Sequence, residues 1–170
     1  KILKYELPDN SNSCTITHNP SNPTPISINS DGFLLGQSFE AECSGQLESV
    51  ALISGGSGTI ATGTLNIYDG ETVTDTPIYT QQYPEFQISQ SGTPIKIDLT
   101  GDVSITQGQQ YTFEFTVTNV TTLFDFSGGY TNGISFQDGV VAGTRDLAFN
   151  VVIAESNSSV NDMAHYYSLD

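Results

Sequence analysis

The sequence holds no tryptophan, one methionine, two cysteines and only four basic residues against nineteen acidic ones. Each scarcity excludes something. A net charge of −15 leaves no clustered lysine and arginine to neutralise phosphates, so neither nucleic acid nor an anionic membrane surface is expected as a partner. No stretch approaches the roughly twenty apolar residues of a membrane-spanning helix, so membrane insertion is not expected either. Without a signal-peptide pattern, the chain reads as a mature or excised piece. The missing tryptophan also lowers a sugar-processing reading, although tyrosine can supply a stacking face in its place.

What remains is a surface of Thr, Ser, Asn, Gln and Gly with an acidic bias, which suits an exported bacterial protein. Cys14 and Cys43 have neither metal-site spacing nor a histidine beside them. A disulfide between them is expected in an oxidising compartment, closing a loop of about 30 residues. Two buried free thiols are the alternative.

At 170 residues the chain is read as one domain, able to bury roughly 70% of its unfolded surface. Residues 1–32 read as an extended arm, because prolines at 20, 23 and 25 and many Asn and Ser disfavour helix. "TPISI" within it is a candidate edge strand. Residues 155–170 read as a polar tail or linker. Between them, period-two alternation recurs. "SFEAEC" sets Phe39, Ala41 and Cys43 against Ser38, Glu40 and Glu42, and "TLNIYD" sets Leu65 and Ile67 against Asn66 and Tyr68. "IKIDL", "YTFEFTV" and "DLAFNVVI" continue the pattern, with Phe113 and Phe115 opposed to Thr112 and Glu114. Gly- and Asp-rich turns separate these runs, and no sustained helical periodicity appears. The pattern predicts an all-β, antiparallel sandwich of jelly-roll-like topology, with about eight to ten half-buried strands.

Catalytic signals are weak. "SGGSG" around Ser57 lacks the last glycine and the strand-to-helix setting of a nucleophile elbow. His18 sits in the Pro-rich arm and His165 in the tail, so both are expected in solvent. The chain is therefore not expected to be an enzyme. For a cation, Asp69, Glu71 and Asp75 in "YDGETVTD" could offer oxygens to a structural calcium, with Asp125 and Asp138 as further candidates. The competing reading is that Asp-Gly pairs simply build tight turns.

The order "GQSFEAECSGQLESVAL", "GTLNIYDG", "ITQGQQYTFEF" and "GGY…DLAFNV" resembles an extracellular, jelly-roll-like β-sandwich accessory module of bacterial surface adhesins and carbohydrate-active proteins. The resemblance spans residues 33–154. It implies a non-catalytic binding or adhesion domain at the cell surface, with a glycan or a neighbouring surface protein as partner. It also implies that Asp146 accepts backbone hydrogen bonds and that Phe149 fills the core. The loop residues Tyr130, Asn132, Asp138 and Arg145 are the candidate ligand-binding set, at one end of the sandwich. Arg145 could equally be a clamp, paired with Asp138 or Asp125 or lying beside Tyr130. The alternative function is a structural subunit of a fibre, filament or virion, assembled through arm and tail as a homo-oligomer.

Overall fold

Alternation becomes strands here, and the Gly- and Asp-rich punctuation becomes their ends. In the computed structural model, residues 12–155 are described and contain sixteen strands and no helix. In chain order they are β1 (Ser13–His18), β2 (Thr24–Ile28), β3 (Phe33–Glu40), β4 (Gly45–Ile53), β5 (Gly58–Ile60), β6 (Gly63–Asp69), β7 (Tyr79–Tyr83) and β8 (Phe86–Ile88). There follow β9 (Pro94–Asp98), β10 (Ser104–Ile105), β11 (Gln110–Val117), β12 (Val120–Asp125), β13 (Ser135–Gln137), β14 (Val140–Val141), β15 (Asp146–Leu147) and β16 (Phe149–Glu155). Sixteen exceeds the eight to ten read from alternation; ten have five or more residues, and the other six have only two or three, too few to show an alternating pattern.

One sheet runs β1-β16-β4-β10, with β9 also paired to β4, and the other runs β14-β13-β3-β11-β6-β7. A smaller sheet, β15-β12-β2, and the pair β5-β8 complete the fold. Every pairing is antiparallel, and the chain passes repeatedly between layers, as Greek-key connections require. The inward residues meet in one core. Phe113 of β11 and Phe149 of β16 touch edge-on across the layers, with ring centres 5.4 Å apart. Leu35, Phe39, Leu65, Ile67, Phe115, Leu147, Val151 and Ile153 surround them and are fully buried. These are the faces that alternation assigned.

The N-terminal segment differs from expectation. "TPISI" does form a strand, but it pairs with β12, and Ser13–His18 pairs along its whole length with β16. Residues 13–28 are thus part of two sheets rather than an arm laid over them. Burying Ile16 against the core supplies the reason: it is 2% exposed, and pairing satisfies backbone groups that burial would otherwise strand. The Cys14–Cys43 disulfide joins β1 to the segment after β3. Residues 1–11 of the expected arm, and the tail from 156 with His165, lie outside the described residues.

The second sheet also departs from simple alternation, because its outer face is covered. Ser38, Tyr68, Thr112 and Glu114, all expected in solvent, are 0 to 5% exposed. The connection between β6 and β7 folds back over them. Thr112 Oγ1 donates to the Gly70 carbonyl at 2.8 Å and accepts from the Thr72 N–H at 3.2 Å, while Ser38 Oγ donates to Glu71 at 3.0 Å. Gly36, opposite Glu114 in register, makes room for this cover; a Cβ there would meet Val73 at 3.3 Å.

Glu114 is the costly member of this layer. Its carboxylate accepts from Tyr68 Oη at 3.0 Å, yet burial pushes its pKa above the usual glutamate value of 4.5. The folded state therefore holds this proton more tightly than the unfolded chain does. That contribution is complete below pH 4.5 and is lost as pH rises through the folded-state value. Glu114→Gln keeps an acceptor for Tyr68 and removes the charge. It is expected to melt about 2–4 °C higher than wild type at neutral pH, on the order of 1 kcal/mol, with the gap closing in acid. A constant gap across a pH series of thermal melts would show that Glu114 titrates normally.

Candidate functional site

The residues expected to form a ligand site do not gather at one end. Asn132 and Asp138 lie at opposite ends of the segment that runs beside β3. The Asn132 carbonyl accepts from the Glu40 N–H at 3.1 Å, and the Asp138 N–H donates to the Leu34 carbonyl at 3.0 Å. Six residues of strand separate those points, about 20 Å at strand rise. Asp138 and Gly139 both have positive φ, 48° and 79°, the pattern of the tight type I′ turn that joins β13 to β14. Asp138 Oδ1 also accepts from the Leu34 N–H at 3.1 Å. The Asp-Gly pair here builds a turn.

The calcium candidates are not brought together either. Asp69, Glu71 and Asp75 are all exposed, and Glu71 is engaged by Ser38. Among the described residues, the cluster of metal-ligating types is a different one: His18, Asp125 and Asp146, with one donor atom of each within 4.8 Å of the others.

Three strands build this cluster. His18 ends β1 opposite Phe149, where Asn19 and Pro20 stop the strand. Asp125 ends β12 and stands directly opposite Asp146 of β15. The His18 side chain is 11% exposed, not solvated as expected, because Tyr130 and Phe149 pack against it at 5.5 and 6.3 Å. Tyr130 in turn meets Phe149 edge-on at 5.1 Å, and burial pushes its hydroxyl up to about 12. It is a packing residue as much as a surface one.

Each carboxylate is held by fixed donors. Asp125 Oδ1 accepts from the Ser127 N–H at 2.8 Å and from its hydroxyl at 2.5 Å, an Asx-type turn, and Oδ2 accepts from the Gly129 N–H at 3.2 Å. Gly128 has φ of 65°, and a Cβ at Gly129 would run into Asp125 Oδ2, so "SGG" is required to wrap this carboxylate. The hydrogen bonds from Ser127 hold the Asp125 carboxyl below its usual range. Asp146 accepts from the Tyr130 N–H at 3.2 Å and from Gln37 at 3.4 Å, as its expected role implied, but burial dominates and pushes its pKa up. Gln37 is fully buried and also receives the Leu147 N–H at 2.9 Å, tying β15 to β3.

An open groove of about 590 Å³ lies over His18 and Asp125. Asn19, Ser21, Asn22 and Thr24 line one side, and Phe126, Ser127 and Gly129 line the other. Arg145 lies outside it, beside an apolar cleft of about 220 Å³ between Ile26, Phe33 and Phe126. Arg145 and Asp146, adjacent in sequence, engage different neighbours: Gln137 and Phe126 for the one, Gln37 and the Tyr130 N–H for the other. The expected carboxylate partner is absent among the described residues, however. The guanidinium donates to Gln137 Oε1 at 3.3 Å and lies 5.3 Å from the centre of the Phe126 ring. Phe126 is 45% exposed and offers a π face, and no carboxylate lies within ion-pair distance of Arg145 among the described residues. Arg145→Met is expected to cost about 0.5–1 kcal/mol, the range of an exposed cation–π contact. A double-mutant cycle with Phe126→Leu checks it; additive losses would show that the two side chains do not interact.

Sequence reasoning missed His18 and Gln37. His18 was masked by its proline-rich neighbours. Gln37 carried a readable signal, a polar residue between Leu35 and Phe39 on the inward face of an alternating strand.

No protein-family model matches the chain, and no curated protein matches it in sequence. Solved structures do. A clostridial cysteine protease, Cwp84, after propeptide cleavage superposes with a TM-score of 0.50 at 12% identity, over 89% of this chain and 42% of that one. A structure described as the cysteine protease and lectin-like domains of Cwp84, a surface layer associated protein of Clostridium difficile, gives a TM-score of 0.48 at 12% identity. It covers 89% of this chain and 37% of that one. The chain thus spans less than half of each matched structure. At 12% identity the likeness to the first of these, with a TM-score of 0.50, shows a shared fold alone.

Proposed function

We propose that this protein is a non-catalytic extracellular binding module that contacts glycans, or a neighbouring surface protein, through the groove over His18 and Asp125. The observation that carries this reading is the lining of the groove. Asn19, Ser21, Asn22, Thr24 and Ser127 are short, uncharged donors and acceptors, set beside the partly exposed ring of Phe126. Hydroxyl-rich ligands are recognised by such pairs of polar groups with an apolar face. An extracellular setting is supported by the Cys14–Cys43 disulfide, since such bonds persist under oxidising conditions.

A non-catalytic role is supported by the order of the polar groups. Ser127 Oγ donates to Asp125, and Asp125 in turn faces His18. The carboxylate therefore stands between hydroxyl and imidazole, whereas a nucleophilic serine needs the imidazole in the middle. The arm-exchange reading is weakened, because residues 13–18 and 24–28 are already paired within their own chain.

A glycan array, with light scattering to read the mass in solution, tests the proposal. Saturable binding to one glycan class is expected. Asn22→Ala should weaken it by about two- to tenfold, the loss of one uncharged hydrogen-bonding group, with the melting temperature unchanged. Binding that survives Asn22→Ala but disappears in Arg145→Met, at unaltered stability, would move the site to the Phe126 cleft.

A further inference from the structure

We propose that His18, Asp125 and Asp146 form a binding site for one divalent transition-metal ion of the zinc class, with an open coordination position facing the groove. The inference concerns the ion alone and does not depend on the ligand proposed above.

The first observation is the unmatched nitrogen. His18 Nε2 is buried and has no hydrogen-bond partner, although Asp125 Oδ2 lies only 3.3 Å away. The contact is short enough for a hydrogen bond but not oriented for one. Two ligands bound to the same ion behave in this way. At metal–ligand distances near 2.0–2.1 Å, tetrahedral ligands sit about 3.3 Å apart with their lone pairs converging on the ion rather than on each other. Buried polar atoms without partners are uncommon, and a bound ion would supply the partner this one lacks.

The second observation is charge. Asp125 and Asp146 face one another across an antiparallel pair, both at most 6% exposed. Like charges placed so are unfavourable without a countercharge. His18, 3.3 Å from Asp125, can offer at most one positive charge against two carboxylates, and Arg145 points away to Gln137 and Phe126. A divalent cation would balance both carboxylates.

The donor set selects the class of ion. One imidazole nitrogen with two carboxylate oxygens suits zinc and its neighbours, whereas calcium takes six to eight oxygens and no nitrogen. The outer contacts are those of a held site. Ser127 and Gly129 hold Asp125, while Gln37 and the Tyr130 N–H hold Asp146; the three donor atoms, within 4.8 Å of one another, need a small side-chain rotation to close on an ion. His18 and Asp125 line the groove and Asp146 does not, so an ion held by all three would have its open position on the groove side.

The test uses the full chain, stripped with chelator and titrated with zinc, cobalt and calcium salts by calorimetry and thermal melts. Zinc is expected to bind one to one and to raise the melting temperature by several degrees, with calcium at least about a hundredfold weaker. Cobalt should give the intense visible bands of a tetrahedral site. His18→Phe keeps a ring against Tyr130 and Phe149 and removes the nitrogen; it should lower zinc affinity by more than about tenfold, the lower end of what losing even an outer hydrogen-bonding partner of a ligand costs. Should that variant fail to fold, imidazole nitrogen NMR on His165→Gln, whose remaining histidine is His18, must show its resonance shift with one equivalent of zinc. No saturable zinc binding, zinc binding unchanged in His18→Phe, an unmoved His18 resonance, or a preference for calcium would each overturn the proposal.

Discussion

Phe113→Ala is expected to lower stability by about 3–5 kcal/mol, the usual loss for truncating a buried aromatic and leaving a cavity. Its ring is fully buried between layers and meets Phe39, Phe115 and Phe149 with centres 5.4 to 6.4 Å apart. Those neighbours sit on three different strands, each fixed by its own pairing, so the void has little freedom to collapse. Denaturant melts check the value. Thr112→Ala, on the opposite face, sharpens the comparison. Alternation alone makes that change nearly free, but Thr112 is buried and holds Gly70 and Thr72. Its loss is now expected to cost about 1–3 kcal/mol, because two backbone groups lose their partner. A Thr112 variant as stable as wild type would mean that the connection between β6 and β7 does not stay on the sheet.

Replacing Cys14 and Cys43 together by alanine is the second large effect. The bond spans 29 residues, and cross-linking a loop of that length removes enough unfolded-state entropy to stabilise by about 3.5 kcal/mol. For a chain of this size the melting temperature should fall by about 7–14 °C. The functional consequence follows from geometry. Cys14 and His18 belong to the same strand, so loosening β1 also loosens the imidazole from Tyr130 and Phe149. Melts of wild type and the double variant, both without reductant, measure the effect. A difference below about 1 kcal/mol would show that β1–β16 pairing restrains the unfolded chain as much as the bond does.

The core was legible because alternation is a local property. Leu65, Ile67, Phe113, Phe115, Leu147 and Phe149 each stand two residues from another large apolar side chain, and pleating alone puts such residues on one face. The disulfide could be read for a related reason: two cysteines offer one intramolecular pairing. Asp138-Gly139 was legible as a turn from its dipeptide, and its backbone angles agree.

The outer face and the site were not legible, because both depend on which distant segments meet. Alternation marks Ser38, Thr112 and Glu114 as opposite to the core, and so they are; it contains nothing about a connection that folds back to bury them. His18, Asp125 and Asp146 come from β1, β12 and β15, and they converge only because β1 pairs with β16 while β12 pairs with β15. Local pattern and composition were enough for an acidic, disulfide-linked, all-β chain with its inward faces marked. Strand order and register are settled by long-range burial and hydrogen bonding, and those placed a buried histidine beside two carboxylates where the sequence showed a histidine in a polar arm, an Asp offered as a calcium ligand and an Asp beside an arginine.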